Sequence, residues 1–235
     1  MRRTAALLAV VLALTGCTRS PQRQQITVLA ASSLAGSFTT LARAYEKEHA
    51  GTSVRVILGA SSALKQQVTA GAPADVIATA SQATVAGLKG TGAPVVFVRN
   101  RLILAVPAGN PGHIRGLADL ARTGLKVAVC APQVPCGVAA TRALAAAHLT
   151  VRPATIESDV KAVLTKVELG EVDAGLVYAT DVLAAGKRVI GLPIEPPVTA
   201  AYPILTLRKV GAGFVAFVRS GKGEAVLAKA GFERP

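Results

Sequence analysis

From Ile26 onward the chain alternates short aliphatic runs with stretches whose apolar residues recur at helical spacing, and this alternation restricts the possible folds more than any other feature. Ile26–Ala30 reads as a buried strand, and Leu34, Phe38, Leu41, Ala42 and Tyr45 then fall on one helical face. Val54–Leu58 predicts a second strand, followed after the turn Gly59–Ser62 by a helix carrying Leu64 and Val68. Gly71-Ala72-Pro73 stops that helix, and Asp75–Thr79 predicts a third strand. Such a βαβαβ alternation calls for a largely parallel, doubly wound sheet with helices on both faces.

A further strand is predicted over Arg101–Pro107, ended by the turn at 107–111. A second alternation follows: strand Leu125–Cys130, helix Gly137–Ala147, helix Val160–Leu169 with Val160, Val163, Leu164 and Val167 on one face, and strand Ala174–Tyr178. Strands at Val189–Pro193 and Ile204–Leu207 and helices at Phe214–Arg219 and Ala225–Ala230 complete the chain. The fold class is α/β, and 235 residues suffice for one domain or two lobes.

The N-terminus has a different character. Met1-Arg2-Arg3 precedes an apolar run from Ala5 to Leu14, which ends in Leu14-Thr15-Gly16-Cys17. A charged start, a short apolar stretch and small residues are the pattern of a secretory signal. The run is too short for a bilayer, which takes about 20 apolar residues. The last four residues resemble the bacterial lipobox, which implies cleavage after residue 16 and a lipid on Cys17. Ser20–Gln25, rich in Gln with one Pro, then reads as a tether. Export also suits the two remaining cysteines. Cys130 and Cys136 are expected to form a disulfide rather than half of a metal site, because no His lies nearby; free thiols stay open.

Composition excludes several partners. Half the residues are apolar (51%), so the chain is no disordered tail, yet only 3% are aromatic, which leaves little for stacking nucleobases or sugar rings. The 26 Lys and Arg against 13 Asp and Glu give +13, but the cations are scattered, with few adjacent pairs such as Arg2-Arg3 and Lys187-Arg188. No basic stripe tracks a phosphate backbone, so nucleic acid is not expected, although the positive field would speed encounter with small anions.

Catalytic motifs fail one by one. Gly221-Lys222 lacks the flanking residues of a phosphate-binding loop, and Gly59-Ala60-Ser61-Ser62-Ala63 lacks the final glycine of a nucleophile elbow. His49, His113 and His148 fall in polar or helix-end contexts, and no cluster of metal ligands is visible. Instead, small polar residues recur where a strand gives way to a helix: Ser32-Ser33, Ser61-Ser62 and Ser158-Asp159. Singly these are ordinary helix caps. Together they place helix N-termini and hydroxyl donors at the carboxyl ends of strands, where open α/β sheets bind ligands and where an oxyanion would collect them.

These segments resemble a known family. Leu29-Ala-Ala-Ser-Ser-Leu34, Gly59-Ala-Ser-Ser-Ala-Leu-Lys-Gln-Gln67, Gly71-Ala-Pro-Ala-Asp-Val76, Asn100-Arg-Leu-Ile-Leu104, Val134-Pro-Cys-Gly137, Asp159-Val160, Gly170-Glu-Val-Asp-Ala-Gly-Leu-Val-Tyr178, Thr180-Asp181 and Tyr202-Pro203 are similar, in order, to the molybdate-binding proteins of ABC importers. The resemblance implies a type II periplasmic-binding fold, two α/β lobes that close on a tetrahedral oxyanion. Its segments would be a signal peptide at 1–16, a tether at 17–25, lobe I at 26–104 with its return at 198–235, and lobe II at 105–197. It further implies that Ser33, Ser61, the backbone N–H groups of Cys136 and Val160, and the Tyr178 phenol hold molybdate, and tungstate with it, by neutral hydrogen bonds. Molybdate at neutral pH has no proton to give, so a site of donors alone suits it. Asp159 is expected to orient a neighbour rather than touch ligand, and Glu171 and Asp173 to be turn residues. Cys136 departs from the pattern, where a small inert residue such as Ala is usual. The implied protein is a monomeric, non-catalytic lipoprotein on the outer face of the cytoplasmic membrane, without cofactor or resident metal, that delivers its ion to a membrane permease. Another oxyanion such as sulfate is the nearest alternative, and a secreted serine hydrolase built on Ser61 is the alternative from a different class.

Overall fold

The computed structural model describes residues 23–235, so the leader, Cys17 and the tether up to residue 22 lie outside the described residues. The strands are β1 (Gln24–Ala31), β2 (Thr52–Gly59), β3 (Val76–Ala78), β4 (Val95–Pro107), β5 (Val127–Cys130), β6 (Thr155–Glu157), β7 (Ala174–Tyr178), β8 (Val189–Leu192) and β9 (Thr199–Thr206). The helices are α1 (Ala35–Glu48), α2 (Ser61–Thr69), α3 (Gln82–Val85), α4 (Pro135–Ala146), α5 (Val160–Glu168), α6 (Ala179–Ala185), α7 (Ala212–Val218) and α8 (Gly221–Lys229).

The strands join in the order β2-β1-β3-β9-β4-β7-β5-β6, with β8 beside β4. Each end of this sheet is a parallel triplet, as the alternation predicts: β2 and β3 flank β1, and β6 and β7 flank β5. The middle differs from that expectation. β4 and β9 run antiparallel to each other, β9 also to β3, and β4 also to β7 and β8. A strand entered from the opposite end needs no crossover helix, so these four pairings leave no βαβ pattern in the sequence.

Two main cores form on either side of the middle strands. One gathers Ile26, Val28, Phe38, Leu41, Tyr45, Tyr202 and Phe214, and the other Leu104, Val106, Val127, Val163, Leu176 and Val177. The periodic faces read from the sequence are those that are buried: Leu34, Phe38, Leu41, Ala42 and Tyr45 at the first helix, and Val160, Val163, Leu164 and Val167 on α5. Phe38 meets Phe97 and Phe214 edge-on, with ring centroids 5.9 and 6.2 Å away, an arrangement that adds to the area buried. β4 serves both cores, giving Phe97 and Val98 to one and Leu102, Leu104 and Val106 to the other. Between them lies Asn100, with no exposed surface.

Sequence periodicity missed the first half of β4, where Arg99, Asn100 and Arg101 break the apolar run, and β6, which has only three residues. It also missed α6, which follows β7 with no intervening turn. β1 begins at Gln24, paired with Thr52, so ladder pairing reaches into the stretch expected to be tether.

Asp75 explains the Gly71–Val76 motif in structural terms. Its carboxylate accepts from the Thr27 N–H and from Arg208 Nε, each at 2.7 Å, and its backbone carbonyl accepts from the Leu207 and Arg208 N–H groups. One buried side chain thereby ties β1, β3 and the chain after β9 together.

Candidate functional site

The parallel strands all deliver their carboxyl ends to one cleft between the two cores. β1 ends at Ala31 and passes into a single 3-10 turn, Ser32–Leu34, and β2 ends at Gly59, one residue before α2 begins at Ser61. On the other side β5 leads through Cys130–Val134 to α4, β6 through Ser158-Asp159 to α5, and β7 ends at Tyr178. Ser33, Ser61, Cys136, Val160 and Tyr178, expected to act together, all line this cleft. Ser32 and Asp159, which sequence reasoning set among the groups gathered at strand ends, also line it, as do Ala60, Ala80 and Pro135, which it had given no place in the wall.

Each polar group in the wall has its direction set by a neighbour. Ser61 Oγ accepts from the Ala80 N–H at 3.1 Å, so its own proton is left for another acceptor. Ser33 Oγ lies 2.9 Å from the Tyr202 hydroxyl of β9. Asp159 is the N-cap of α5; one of its carboxylate oxygens accepts from Lys161 N–H at 2.7 Å and Ala162 N–H at 3.3 Å. The carboxylate thus spends itself on its own helix, and the N–H of Val160, one residue earlier, has no intrahelical acceptor.

Cys136 is the second residue of α4, after Pro135 at the position where a helix tolerates proline. Its sulfur is bonded to Cys130, whose Cα is 5.7 Å away. The loop closed this way packs against the next residue: a Cβ on Gly137 would stand 1.9 Å from the Ala131 carbonyl oxygen. Only glycine lets the helix start so close to the end of β5.

Tyr178 is 1% exposed, and its hydroxyl has no hydrogen-bond partner among the described residues. Burial, and after it the Asp181 carboxylate, pushes its pKa well above the usual phenol value. The group therefore stays protonated, a donor. Tyr202 is raised in the same way by burial. The backbone N–H of Tyr178 donates to Asp181 Oδ2 at 3.0 Å.

Among the described residues no Lys, Arg or His lines the cleft. His49 stacks on Tyr45 with ring centroids 3.8 Å apart, and His113 and His148 sit in turns with positive φ, so Ser61 has no base beside it. Glu171 pairs with Lys166, and Asp173 caps the Lys126 N–H, both away from the cleft. Among the described residues no group of three or more His, Cys, Asp or Glu could hold a metal ion, and no helix is long and apolar enough to cross a membrane.

Comparison with known proteins bears on the whole chain. Residues 26–233 match the family model for bacterial extracellular solute-binding proteins. The chain is 38% identical over 224 residues to the molybdate-binding protein ModA of Mycobacterium tuberculosis, covering 90% of this chain and 85% of the relative. In fold it is similar to the periplasmic molybdate-binding protein of Azotobacter vinelandii, with a TM-score of 0.76 at 20% identity over 89% of this chain and 99% of that one. The sulfate-binding protein SubI of Mycobacterium tuberculosis has a TM-score of 0.70 at 19% identity over 90% and 87%. With the periplasmic-binding fold and a family match running nearly from end to end, the chain belongs to the bacterial extracellular solute-binding proteins and is homologous to the molybdate-binding proteins of ABC importers.

Proposed function

We propose that this protein captures molybdate, and tungstate with it, and delivers it to the membrane subunits of an ABC importer. The observation that carries the reading is the wall of the cleft. Ser33, Ser61 and Tyr178, with hydroxyls to donate, line it together with Cys136 and Val160 at helix starts, while Asp159, the one acidic residue there among the described residues, is engaged with its own helix. Such a wall offers protons and takes none. It suits a tetrahedral dianion without a proton, and it opposes hydrogen phosphate, whose O–H would face a donor.

Magnitudes agree with capture at low concentration. Hydrogen bonds to a charged group contribute about 1.5–3 kcal/mol each, so five supply on the order of 10 kcal/mol, from which the cost of ordering the ion and closing the cleft is subtracted. Closure follows from the placement of the donors. Ser33 and Ser61 come from the part formed by 26–104 and 198–235, and Cys136, Val160 and Tyr178 from 105–197; an ion bound by both favours the conformation in which both reach it. The closed form is what the permease would recognise. A cleft without a base leaves Ser61 as a ligand group rather than a nucleophile, so the protein binds and releases without catalysis.

We place the mature chain outside the cytoplasmic membrane, held by a lipid on Cys17 and acting as a monomer. Replacing Cys17 with Ser releases it from the membrane fraction on this reading, and continued tight association would count against the anchor. Sulfate is the second reading, favoured by the similarity in fold to a sulfate-binding protein. The size of the cleft in the closed protein would separate the two ions.

The deciding experiment is calorimetric titration of the soluble body, begun after Gln25 or, to keep the β1 pairing intact, at Arg23, with molybdate, tungstate, sulfate and phosphate. Tight binding of the first two with silence from the others is expected. Sulfate or phosphate binding in their place would move the specificity, and no binding at all would overturn the reading.

A further inference from the structure

Behind Ser33 lies a chain of buried polar groups that the ligand set does not include. Tyr202 is fully buried on β9, with its ring between Tyr178 and Phe232 at centroid distances of 6.0 and 5.5 Å, so packing fixes where its hydroxyl stands. That hydroxyl lies 2.9 Å from Ser33 Oγ and, at a longer 3.5 Å, accepts from the Asn100 side-chain amide nitrogen on β4. The same amide nitrogen donates to Thr180 Oγ1 at 2.8 Å.

An amide nitrogen gives protons and accepts none. Facing the Tyr202 oxygen, it can only donate to it. With the phenolic proton then given to Ser33 Oγ, 2.9 Å away, the serine oxygen accepts and turns its own proton outward, into the cleft it lines. In that arrangement every link donates in one direction, from Asn100 to Tyr202 to Ser33.

We propose that Tyr202, oriented by Asn100, is a positioning residue for ligand discrimination: it commits the Ser33 hydroxyl to donating and so penalises any oxyanion that carries a proton. The inference rests on the reading of the cleft as an oxyanion site. At Ser61 the backbone N–H of Ala80 does the corresponding work, so both serines are held as donors by neighbours the ligand never touches. Without the Tyr202 hydroxyl, Ser33 is free to rotate and accept, and a protonated ion then meets an acceptor where it had met a donor.

The test is Tyr202→Phe, which keeps the ring and its packing, titrated with sodium molybdate and with inorganic phosphate at pH 6, where phosphate carries a proton. Molybdate affinity is expected to fall about tenfold, the worth of one hydrogen bond, while phosphate is held or gains, so the preference narrows tenfold or more. Asn100→Leu, which removes the donor at the far end, is expected to narrow it in the same direction by a smaller factor. Equal losses for both ions, no change for either, phosphate still failing to compete at millimolar concentration, or failure of Tyr202→Phe to fold would each overturn the proposal, by placing the hydroxyl in the service of the fold alone. A wild-type protein that binds sulfate in place of molybdate would overturn the functional reading only, and the comparison then runs with sulfate. A wild-type protein that binds no oxyanion overturns both.

Discussion

The ammonium of Lys161 lies 2.8 Å from Oδ1 of Asp181, a carboxylate with no exposed surface, whose other oxygen accepts from the Tyr178 N–H. Lys161 follows Val160 at the start of α5, so this ion pair couples two of the segments that line the cleft. Burial raises the Asp181 pKa, and Lys161 is the chief influence pulling it down. A carboxyl raised in the folded state contributes stability below its ordinary range and loses it as pH climbs through the raised value. Lys161→Met removes the counterweight and extends that loss to higher pH. The variant is expected to match wild type near pH 4 and to fall about 3 kcal/mol short near pH 8, the low end for a broken buried pair because the lysine is one-third exposed. Thermal unfolding across pH 4–8 checks this; a deficit that shrinks as pH rises would contradict it.

Tyr178→Phe separates ligand binding from folding. The hydroxyl is buried without a partner among the described residues, so its removal is expected to stabilise the ligand-free protein by about 1 kcal/mol. The same change is expected to weaken molybdate binding roughly 10- to 100-fold through loss of a hydrogen bond to charge. Melting temperature and calorimetry on one preparation should therefore move in opposite directions.

The Cys130–Cys136 disulfide closes the loop that brings Cys136 to the cleft wall. Cys130→Ser is expected to cost about 2 kcal/mol of stability, as the chain-entropy relation gives for so short a loop. Oxyanion affinity is expected to fall about 3- to 10-fold, since the loop must then be ordered on binding. Reduction of the wild-type protein by dithiothreitol should reproduce the affinity loss; unchanged affinity in both experiments would show that the loop is held by its packing alone.

Asp75→Ala is a change in the fold rather than the site. It leaves the part-buried Thr27 N–H without its acceptor and frees Arg208, so a loss of about 2 kcal/mol is expected in denaturant unfolding. Binding by the folded fraction should stay within a factor of about two, because Asp75 does not line the cleft.

Much of the site was legible because its groups sit at places that periodicity and punctuation mark. Ser33, Ser61 and Val160 each stand where an aliphatic run hands over to helical spacing, and Cys136 follows a proline that starts a helix. Tyr178 closes a strand, but only the family resemblance singled out its phenol. What escaped were groups whose role depends on distant partners: Tyr202 meets Ser33 across 169 positions of chain, and Asn100 meets Thr180 across 80. A polar residue within β4 looked like the end of a strand because nothing local says that its amide nitrogen finds partners elsewhere. The antiparallel middle was hidden for the same reason, since β9 finds both its neighbours at long range. The Gly71–Val76 motif shows the reverse case: conspicuous in sequence, it anchors strands and stays out of the cleft.

Among the described residues no Lys, Arg or His lines the cleft, Tyr178 is held protonated by burial, and the one carboxylate there, Asp159, is taken up by its own helix, which has a bearing on the medium in which such a protein works. A receptor whose ligand meets neutral donors, with that carboxylate engaged the same way before and after, exchanges few hydrogen ions with the surrounding fluid when it loads. Its heat of loading should be the same in buffers of different ionisation enthalpy, and acidification outside the cell would alter capture only by changing the ion itself. Beyond the cytoplasmic membrane, where nothing clamps the acidity, the grip is set by geometry and stays constant while the surroundings drift.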